Sequence, residues 1–428
     1  MVDSYIPGDI SVSAFSLFSK RGSLDLKYSF VSASIFESIF YPGIVAHISV
    51  LDSDDQLGQL KIVGDETVKL SIELPDNTTT NYELAMHSLE HANMTTASLS
   101  SKTYLIKAVS VESLVAKNNN IQKSYNSTIS DIVKDIHKNY LNSTKDIEVE
   151  TTKGKQNVLF PKVLPYKAID LVRKRAISDK NKSSVFVYFE TRDSSKQKFK
   201  FVTIESLFKQ SPIKTYTQVD TINTSIYNKA ENNIIALETP QVFNTHHRLK
   251  LGGKSRVTYF DFRTHTFKIK DIDTKSTDYT TGGTGSYDSS DFKKRFQSPK
   301  IPNQSLIPVD YSQRAVTHIS ENTADQNQFI ATLTQNSLKL RVFGDFKLKP
   351  GEMITLNIPN KSTITGPRDN DPLLSGNFLI TRLHHDIGLM SERPRYTCVV
   401  ECVKGNLEEG VWRKKISVII LVGLSQRL

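Results

Sequence analysis

Two pairs of adjacent histidines are the residues of this 428-residue chain whose chemistry first suggests a functional site. His384 and His385 precede Asp386, and His246 and His247 stand in a second polar stretch. Imidazole and carboxylate groups bind divalent metals and transfer protons near neutral pH. Adjacent side chains on a strand point to opposite faces, so neither pair can chelate one metal from regular structure. We therefore interpret these histidines as residues of the surface or of a barrel edge.

The other groups with catalytic chemistry are also better explained as solvated residues. His265 stands alone, and the consecutive carboxylates Glu408-Glu409 and Asp54-Asp55 are associated with turns. No serine stands in a G-x-S-x-G elbow, and neither H-E-x-x-H nor C-x-x-C occurs. A hydrolase could still assemble carboxylates from distant strands. We assign no catalytic, cofactor-binding or metal-binding residues, and we expect a protein that is not an enzyme and has no cofactor.

A glycine-rich stretch and two cysteines complete the candidates. Residues 282–285 lack the Gly-Lys-Ser/Thr continuation of a phosphate-binding loop, so a linker explains them better. Cys398 and Cys402, the two cysteines of the chain, would lie on one face of a strand roughly 13 Å apart, too far for a disulfide. We expect small core residues in a reducing compartment. The first residues show no basic and apolar leader, so we expect no secretion signal.

The net charge of +10, from 55 Lys and Arg against 45 Asp and Glu, suggests nucleic acid or an anionic membrane as a partner. The basic runs at residues 173–175 and 293–295 are short, and a solvated face explains them more simply. The most apolar run, residues 416–424, is far shorter than the roughly 20 residues that span a bilayer. It is expected to form a buried strand or a tail that docks on a partner.

Short strands must position these residues. Residues 338–360 read as three strand-length pieces joined by turns at 344–345 and 350–351, which predicts a half-buried antiparallel meander. Residues 378–387 and 396–402 continue the pattern. Together these pieces would suffice for a small barrel.

An internal repeat is the most informative pattern in the sequence. Residues 64–72, GDETVKLSI, align with residues 350–358, PGEMITLNI, and both place a glutamate before an alternating strand. The alignment continues from 82–91 to 378–387 and from 104–109 to 396–403. Two similar barrels in one chain would explain this, although short alternating strands can also coincide by chance.

Between the two repeats the hydrophobic period changes from 2 to 3.6. One helix is predicted with Ser127 as its N-cap and Asp131 in its first turn, and a second helix is predicted to begin at Pro165. Strands are expected at 184–190 and 199–203. The predicted fold class is thus mixed α+β and mainly β, with two similar antiparallel β-barrels and an inserted α/β domain.

These patterns predict the domain boundaries. The predicted parts are a first barrel at 1–112, an inserted domain with two helices at 113–207, a second barrel at 208–244 and 326–405, an extension of the inserted domain at 245–325 with a flexible loop near 276–306, and a C-terminal tail at 406–428. A helix over residues 322–335, with Leu333 buried, is expected to lead into the second barrel.

Several stretches together resemble a known family. Residues 344–351, GDFKLKPG, after a glutamine-containing helix, resemble the second barrel of the baseplate central hub protein of contractile-tailed bacteriophages, which is related to the N-terminal hub part of type VI secretion spike proteins. Further stretches in the same order are STISDIV at 127–133, TTKG at 151–154, PYKAI at 165–169, FETRD at 189–193 and YFDFRT at 259–264. The resemblance covers roughly residues 20–405 and is carried by order and spacing.

The resemblance implies a structural virion protein of the tail baseplate, assembled in the host cytoplasm. Hub proteins of this kind are homotrimers whose chains each supply two β-barrel tube domains. Six barrels then form a ring between the six-fold tail tube and the three-fold cell-puncturing spike, with a channel for DNA ejection. The implied partners are the tail spike or lysozyme protein, tail tube initiator proteins, and the tape measure and baseplate wedge proteins, with DNA only in transit.

Two alternative functions stay open at this stage. The positive charge and aromatic residues near basic ones, such as Tyr259, Phe260 and Arg263, would also suit a nucleic-acid-binding protein built from small barrels. A carbohydrate-active tail enzyme is the second alternative.

Overall fold

The computed structural model describes residues 8–53, 56–59, 62–92, 102–181, 183–193, 196–218, 231–241, 254–261, 265–273, 303–308, 326, 333, 337–360, 370–371, 374–390 and 393–404. Strands predominate in these ranges, most strand pairs are antiparallel, and the helices are short. The prediction of a mixed and mainly β chain is confirmed.

The strands are β1 (Ser11–Ser19), β2 (Gly22–Asp25), β3 (Phe30–Ser38), β4 (Val45–Asp52), β5 (Thr67–Glu73), β6 (Thr79–Ala92), β7 (Lys102–Val109), β8 (Ile121–Thr128), β9 (Ile147–Val149), β10 (Lys155–Val163), β11 (Phe186–Asp193), β12 (Lys196–Thr203), β13 (Lys214–Thr217), β14 (Ile234–Gln241), β15 (Lys254–Asp261), β16 (Thr266–Asp273), β17 (Asn303–Pro308), β18 (Ser337–Phe343), β19 (Met353–Asn357), β20 (Gly376–Met390) and β21 (Arg393–Val403). The helices are α1 (Gln56–Gln59), α2 (Val111–Asn118), α3 (Ile129–Asp135), α4 (Pro165–Arg173) and α5 (Ile204–Phe208), with a 3-10 turn at Lys27–Ser29 and a π-helical turn at Ile136–Tyr140.

The largest sheet has 13 strands and combines strands from both halves of the chain, from β1 to β21. Its order is β14-β18-β21-β20-β3-β4-β7-β6-β5-β1-β2, and β19 joins it by pairing with β20 and with β13. The β13–β19 pair is parallel, whereas the other pairs of this sheet are antiparallel. Strands that the sequence separates widely are therefore neighbours in one sheet.

One five-strand pattern occurs twice in this sheet. The first copy has the order β3-β4-β7-β6-β5, and the second copy has the order β14-β18-β21-β20-β19. In both copies the fifth strand follows the glutamate that the sequence repeat aligns, Glu66 or Glu352. The strand order therefore extends the sequence repeat to five strands in each half of the chain.

The irregularities of the two copies coincide as well. A bulge falls between Met86 and Ser88 where β6 pairs with β7, and between Ile380 and Arg382 where β20 pairs with β21. A second shared bulge lies near the starts of β3 and β14, where each pairs with the next strand. Two bulges at matching registers are not expected from chance alternation, so the repeat is structural.

The bulges also correct the sequence alignment. Met86 and Ile380 occupy equivalent places, so residues 82–91 correspond to 376–385 and not to 378–387 as predicted. A shift of two residues leaves every side chain on the same face of a strand, and for that reason the hydrophobic alternation could not detect it.

A continuous apolar core covers one face of both copies. Ile35, Ile48 and Ile106 are fully buried in the first copy, and Leu340 and Val400 are fully buried in the second. All five belong to one cluster of contacting side chains. Alternation along each strand leaves the opposite face polar.

A second core lies between the two copies in the sequence, around the sheets β10-β8 and β11-β12-β9. Helix α4 begins at Pro165, as predicted, and buries Ala168, Ile169 and Val172. Helix α3 differs slightly from the prediction, because Thr128 and not Ser127 is its N-cap. The Thr128 hydroxyl accepts a hydrogen bond from the Asp131 amide at 3.3 Å.

Strand β11 departs from simple alternation because both of its faces are covered. Phe186 and Tyr188 pack in the second core, whereas Val187 and Phe189 pack in a third cluster with Leu379 of β20 and other residues. The strand is therefore held between two cores. It brings its last residues against the main sheet.

The predicted meander over residues 338–360 is wrong. Strands β18 and β19 are not neighbours, because β18 pairs with β21 and β14, and β19 pairs with β20 and β13. The predicted middle strand, between the turns at 344–345 and 350–351, is itself a turn. In this turn Asp345 accepts a hydrogen bond from the Lys347 amide at 2.8 Å. Gly344 still donates its amide to the Tyr396 carbonyl at 2.9 Å and lies against the Tyr396 ring, and the chain leaves the sheet after it.

The predicted extension at 245–325 contains the three-stranded sheet β16-β15-β17. Most of the predicted helix at 322–335 and of the loop near 276–306 lies outside the described residues, but Gln326 and Leu333 are helical and Leu333 is buried. Among the helices that the structure describes, none is long and apolar enough to cross a membrane.

Candidate functional site at the seam between the two copies

The candidate site is the seam, which we define as the pairing of residues 382–388 of β20 with residues 32–38 of β3. Strand β20 is 15 residues long, so its first part pairs with β19 and its second part reaches β3. In this antiparallel pairing Asp386 lies opposite Ser34. Main-chain hydrogen bonds thus connect the first copy and the second copy into one continuous sheet.

The polar face of the seam carries an aromatic stack. Phe36 of β3 and His384 of β20 lie parallel, with ring centroids 4.3 Å apart, and His47 of β4 meets Phe36 edge-on at 5.6 Å. Burial lowers the pKa of His384 and of His47, which favours neutral rings. The stack thus connects β20 and β3, the two strands of the seam, with the adjacent strand β4.

The core face of the seam contains a buried ion pair. Glu37 of β3 and Arg192 at the end of β11 are both buried, and Nε of Arg192 lies 3.0 Å from Oε1 of Glu37. The Arg192 guanidinium also lies over the rings of Tyr82 and Phe346, at 5.3 and 5.5 Å from their centroids. Burial, the largest single effect, would raise the pKa of Glu37, but Arg192, His385 and Tyr82 together outweigh it and the pKa is lowered. The carboxylate is therefore ionised in the folded protein.

His385 extends this buried cluster into the second copy. Its Nε2 lies 3.1 Å from an Nη2 atom of Arg192, and its Nδ1 lies 2.6 Å from the Tyr396 hydroxyl. A guanidinium can only donate, so Nε2 accepts and Nδ1–H donates to Tyr396, which makes His385 the neutral tautomer. Burial and the Arg192 charge lower the pKa of His385 against the opposing effect of Glu37, whose Oε1 lies 3.6 Å from Nε2, and this direction agrees with the assignment.

Of the two positions predicted for His385, the surface or a barrel edge, the surface is wrong. It is fully buried because it shares a strand face with the core residues Leu383 and Ile387, and its two nitrogens find buried polar partners. His384 points to the other face, as alternation requires, and is half-buried. The two adjacent histidines therefore do not converge on one metal ion.

A second ionic cluster ties the first copy to the part of the chain that follows it. Lys145 Nζ lies 2.8 Å from Glu112 of α2 and 2.6 Å from Glu190 of β11. The Ser110 hydroxyl donates to Glu190, and Gln197 Nε2 donates to it at 3.0 Å. Burial raises the pKa of Glu190 against the opposing effect of Lys145. Lys145 thus forms ion pairs with two buried carboxylates.

Most charged groups of both clusters are buried, although the Lys145 side chain keeps 15% of its exposure, and this burial limits their chemistry. Glu37, Arg192, His385 and Glu190 are all buried, so a substrate could not reach them without opening the fold. Buried ionisable groups with complementary partners more simply hold structural parts in one arrangement. Within the described ranges, no group of three or more His, Cys, Asp or Glu residues could hold a metal ion.

The cysteines are buried and free, which agrees with the expectation of small core residues. Burial raises the pKa of Cys398 to about 12 and that of Cys402 still further, so neither thiol is a nucleophile at neutral pH. His265 is exposed and has a left-handed backbone with φ of 51°. In the basic run at 173–175, Arg173 pairs with Asp170 on an exposed helix face.

Other predicted candidates lie outside the described residues. These are Asp54, Asp55, His246, His247, Arg263, the glycine stretch at 282–285, the basic run at 293–295, Glu408, Glu409 and the apolar run at 416–424. Tyr259 and Phe260 lie on β15. Sequence reasoning gave Glu37 no role and included Arg192 only in the stretch FETRD at 189–193. The available signal for Arg192 was a basic residue two positions after Glu190, which ends the apolar run of β11.

No protein-family model and no curated protein matches the chain. Solved structures do match. The tail protein from Neisseria meningitidis MC58 is 9% identical, with a TM-score of 0.54 over 92% of this chain and 97% of that chain. The 43 kDa tail protein of prophage MuSo2 from Shewanella oneidensis is 10% identical, with a TM-score of 0.54 over 92% and 98%.

The chain has the fold of phage tail proteins. A structure of the Francisella PdpA-VgrG complex matches as well, at 12% identity and a TM-score of 0.50, over 94% of this chain and 58% of that chain. The matches with both tail proteins extend over nearly the whole of each chain. At these identities the likeness concerns the fold, and individual residues have to be argued from their own contacts.

Proposed function

We propose that the chain is a structural protein of a contractile tail, namely the homotrimeric hub of the baseplate. The observation that carries this proposal is the duplicated five-strand pattern whose copies are joined edge to edge at the seam. Two like units in one chain give six like units in a trimer. Such a ring can match a six-fold tube on one side and a three-fold spike on the other, and this requires no catalysis.

The strand order of the main sheet supports a channel in such a ring. Eight strands, from β14 to β6 along the sheet, are continuously paired. In the described part of the chain, β19 and its neighbour β13 do not pair with β5 or with β1 and β2, which follow β5 in the sheet. The inner wall of a closed ring has a shorter circumference than the outer wall, so an inner wall can be continuous while the outer strands are separated. We therefore infer that the eight strands from β14 to β6 line the channel with their polar face. We also infer that each copy closes as a barrel tube domain.

Three basic residues on this polar face have acidic partners on neighbouring strands. The pairs are Lys107 with Glu90 at 2.5 Å, Arg382 with Glu401 at 2.9 Å and Lys339 with Glu238 at 3.3 Å. A basic residue with an acidic partner attracts phosphate less than an isolated one. A channel lined in this way would let DNA slide, despite the net charge of +10.

The parts outside the two copies are proposed to carry the partner contacts. The α/β part at 113–207 with its extension at 245–325 would meet neighbouring baseplate proteins, and the tail at 406–428 would dock on a partner. The proposed partners are the spike or lysozyme protein at one end, tube initiator proteins at the other, and the tape measure and wedge proteins around them.

The mass of the purified protein in solution tests the proposal. Light scattering on a sizing column is expected to give three times the 48.2 kDa of one chain, alone or with its spike. A persistent monomer in both samples would overturn the hub proposal. Hydrolysis of cell-wall polymer by the purified chain would favour the tail-enzyme alternative.

A further inference from the structure

We propose that strand β6 of one chain pairs, antiparallel, with strand β14 of a second copy of this chain, with Ala92 opposite Glu238. The inference rests on the proposed function, because it deepens the ring by naming the strands that connect its subunits. It follows from transferring the observed seam between β20 and β3 to the two strands that hold the equivalent places.

Ala92 is the equivalent of Asp386. Ala92 lies opposite Thr103 of β7, and Asp386 lies opposite Thr397 of β21. Both positions come six residues after the residue that precedes the shared bulge, Met86 or Ile380. Ala92 lies on the part of β6 that extends beyond its pairing with β5. Asp386 likewise lies on the part of β20 that extends beyond its pairing with β19.

Glu238 is the equivalent of Ser34. Ser34 lies opposite His47 of β4, and Glu238 lies opposite Lys339 of β18. His47 and Lys339 in turn lie opposite Lys107 and Glu401 of the third strands. Since Asp386 faces Ser34 across the seam, the same relation places Ala92 against Glu238 of the next chain.

Both strand edges are available for this pairing. Among the described strands, β14 pairs only with β18, and β6 beyond residue 85 pairs only with β7. Exposed edges of this kind present unpaired N–H and C=O groups and are templates for another strand. Of the possible occupants, a second copy is favoured because the chain already contains the complementary edge with a matching register.

A bulge limits how far the register can be transferred. Strand β14 has an extra residue between Glu238 and Gln241, next to Pro240, which the first copy lacks. Proline lacks an N–H and is tolerated at bulges and edges. The predicted register therefore applies from Glu238 toward the start of β14, and Ala92 with Glu238 is its anchor.

A head-to-tail contact of this kind uses two different edges, so each chain offers one and receives the other. Such contacts form a ring if the rotation closes. The seam supplies three junctions inside the chains of a trimer, and β6 with β14 supplies three between them. The same pairing then repeats around the whole ring, which explains why one chain carries two copies.

Disulfide cross-linking tests the register. The double variant Ala92→Cys/Glu238→Cys places two thiols opposite each other on the polar face, within the reach of a disulfide. The matched control Ala92→Cys/Ala236→Cys moves one thiol by two residues on the same face, roughly 7 Å along the strand and too far to bridge. The native Cys398 and Cys402 are buried and free, so they should not react.

We expect covalent dimers and trimers of the first variant on a non-reducing gel after mild oxidation, and at least tenfold less of them for the control. Light scattering before oxidation separates the two proposals. A trimer that cross-links equally in the control, or in neither variant, would overturn the β6–β14 register and leave the hub standing. A monomer would overturn both proposals.

Hydrogen exchange of the unmodified protein provides a test that does not depend on the variants. Backbone amides at residues 89–92 and 236–238 that point to the free edges are expected to exchange at least tenfold more slowly in the trimer than in monomer obtained by dilution. Equal exchange rates in trimer and monomer would contradict the pairing.

Discussion

At the scale of single residues, the chemistry that looked catalytic serves the interior of the fold. His385 is held neutral between Arg192, which donates to it, and Tyr396, which accepts from it. A neutral buried histidine destabilises the fold in acid, because protonation would add a buried charge next to the guanidinium, and the nearby Glu37 carboxylate offsets this effect only in part. The residue therefore links the stability of the seam to pH.

We predict that the protein loses stability as the pH falls below about 6.5, the usual histidine pKa. The pKa of His385 is lowered in the folded state, so the unfolded chain binds more protons between 6.5 and the folded pKa. Stability is complete above this window and declines within it, by at most about 1.4 kcal/mol per pH unit for one group. His385→Gln, which retains an acceptor and a donor, should reduce the slope of stability against pH.

Urea unfolding at pH 7, 6 and 5 and at one protein concentration measures this slope. His384→Gln is the matched control, because His384 is the adjacent histidine but is only half-buried on the polar face. Its replacement should change the slope less. Equal slopes for the wild-type protein and for His385→Gln would contradict the prediction.

At the scale of elements, the turn between β18 and β19 shows why local patterns misplaced a strand. Gly344 donates its amide to the Tyr396 carbonyl at 2.9 Å, and its α-carbon packs on the Tyr396 ring. A side chain at this position would occupy the space of that ring, with a β-carbon 1.9 Å from its nearest atom. The glycine is needed for a close approach and not merely for a turn.

We predict that Gly344→Ala destabilises the second copy by about 3 kcal/mol or more, because Tyr396 is fully buried and cannot move aside without displacing its neighbours. Gly388→Ala is the matched control. Its added carbon would lie 3.9 Å from Ser32, an ordinary contact, and its stability should change by less than about 1 kcal/mol. Thermal unfolding of both variants measures the difference, and similar losses would show that the Tyr396 contact is unimportant.

At the scale of the whole molecule, Arg192 is the residue at which three parts of the chain meet. It extends from β11 to Glu37 and Tyr82 of the first copy and to His385 of the second. Burial of a charged pair contributes little net stability when both partners are present, but removal of one partner leaves a costly unpaired charge. The cluster thus holds β11, the first copy and the second copy in one arrangement.

We predict that Arg192→Met lowers the free energy of unfolding by about 3 to 5 kcal/mol, since Glu37 would remain buried without its cation. The double variant Arg192→Met/Glu37→Gln removes both charges and should recover a large part of that loss. A double-mutant cycle by urea unfolding, at one pH and one protein concentration, measures the coupling. Additive losses would show that the two groups do not act as a pair.

The sequence by itself determined the elements whose signals are local. Alternation marked residues 104–109, which lie within β7, and Pro165 marked the first turn of α4. The repeat of β5 in β19 was also visible in the sequence. The predicted alignment of the following strands, β6 with β20, was wrong by two positions. These features depend on side-chain period and backbone geometry within a few residues.

Only the tertiary structure decided which strands are neighbours and which charges meet. Arg192 and His385 are 193 positions apart, and neither residue type nor spacing indicates that they share a buried cluster. The bulges that establish the repeat, the seam between β20 and β3, and the free edges of β6 and β14 are also properties of pairing. Strand pairing is decided by long-range packing of complete faces, and a local pattern is compatible with many such pairings.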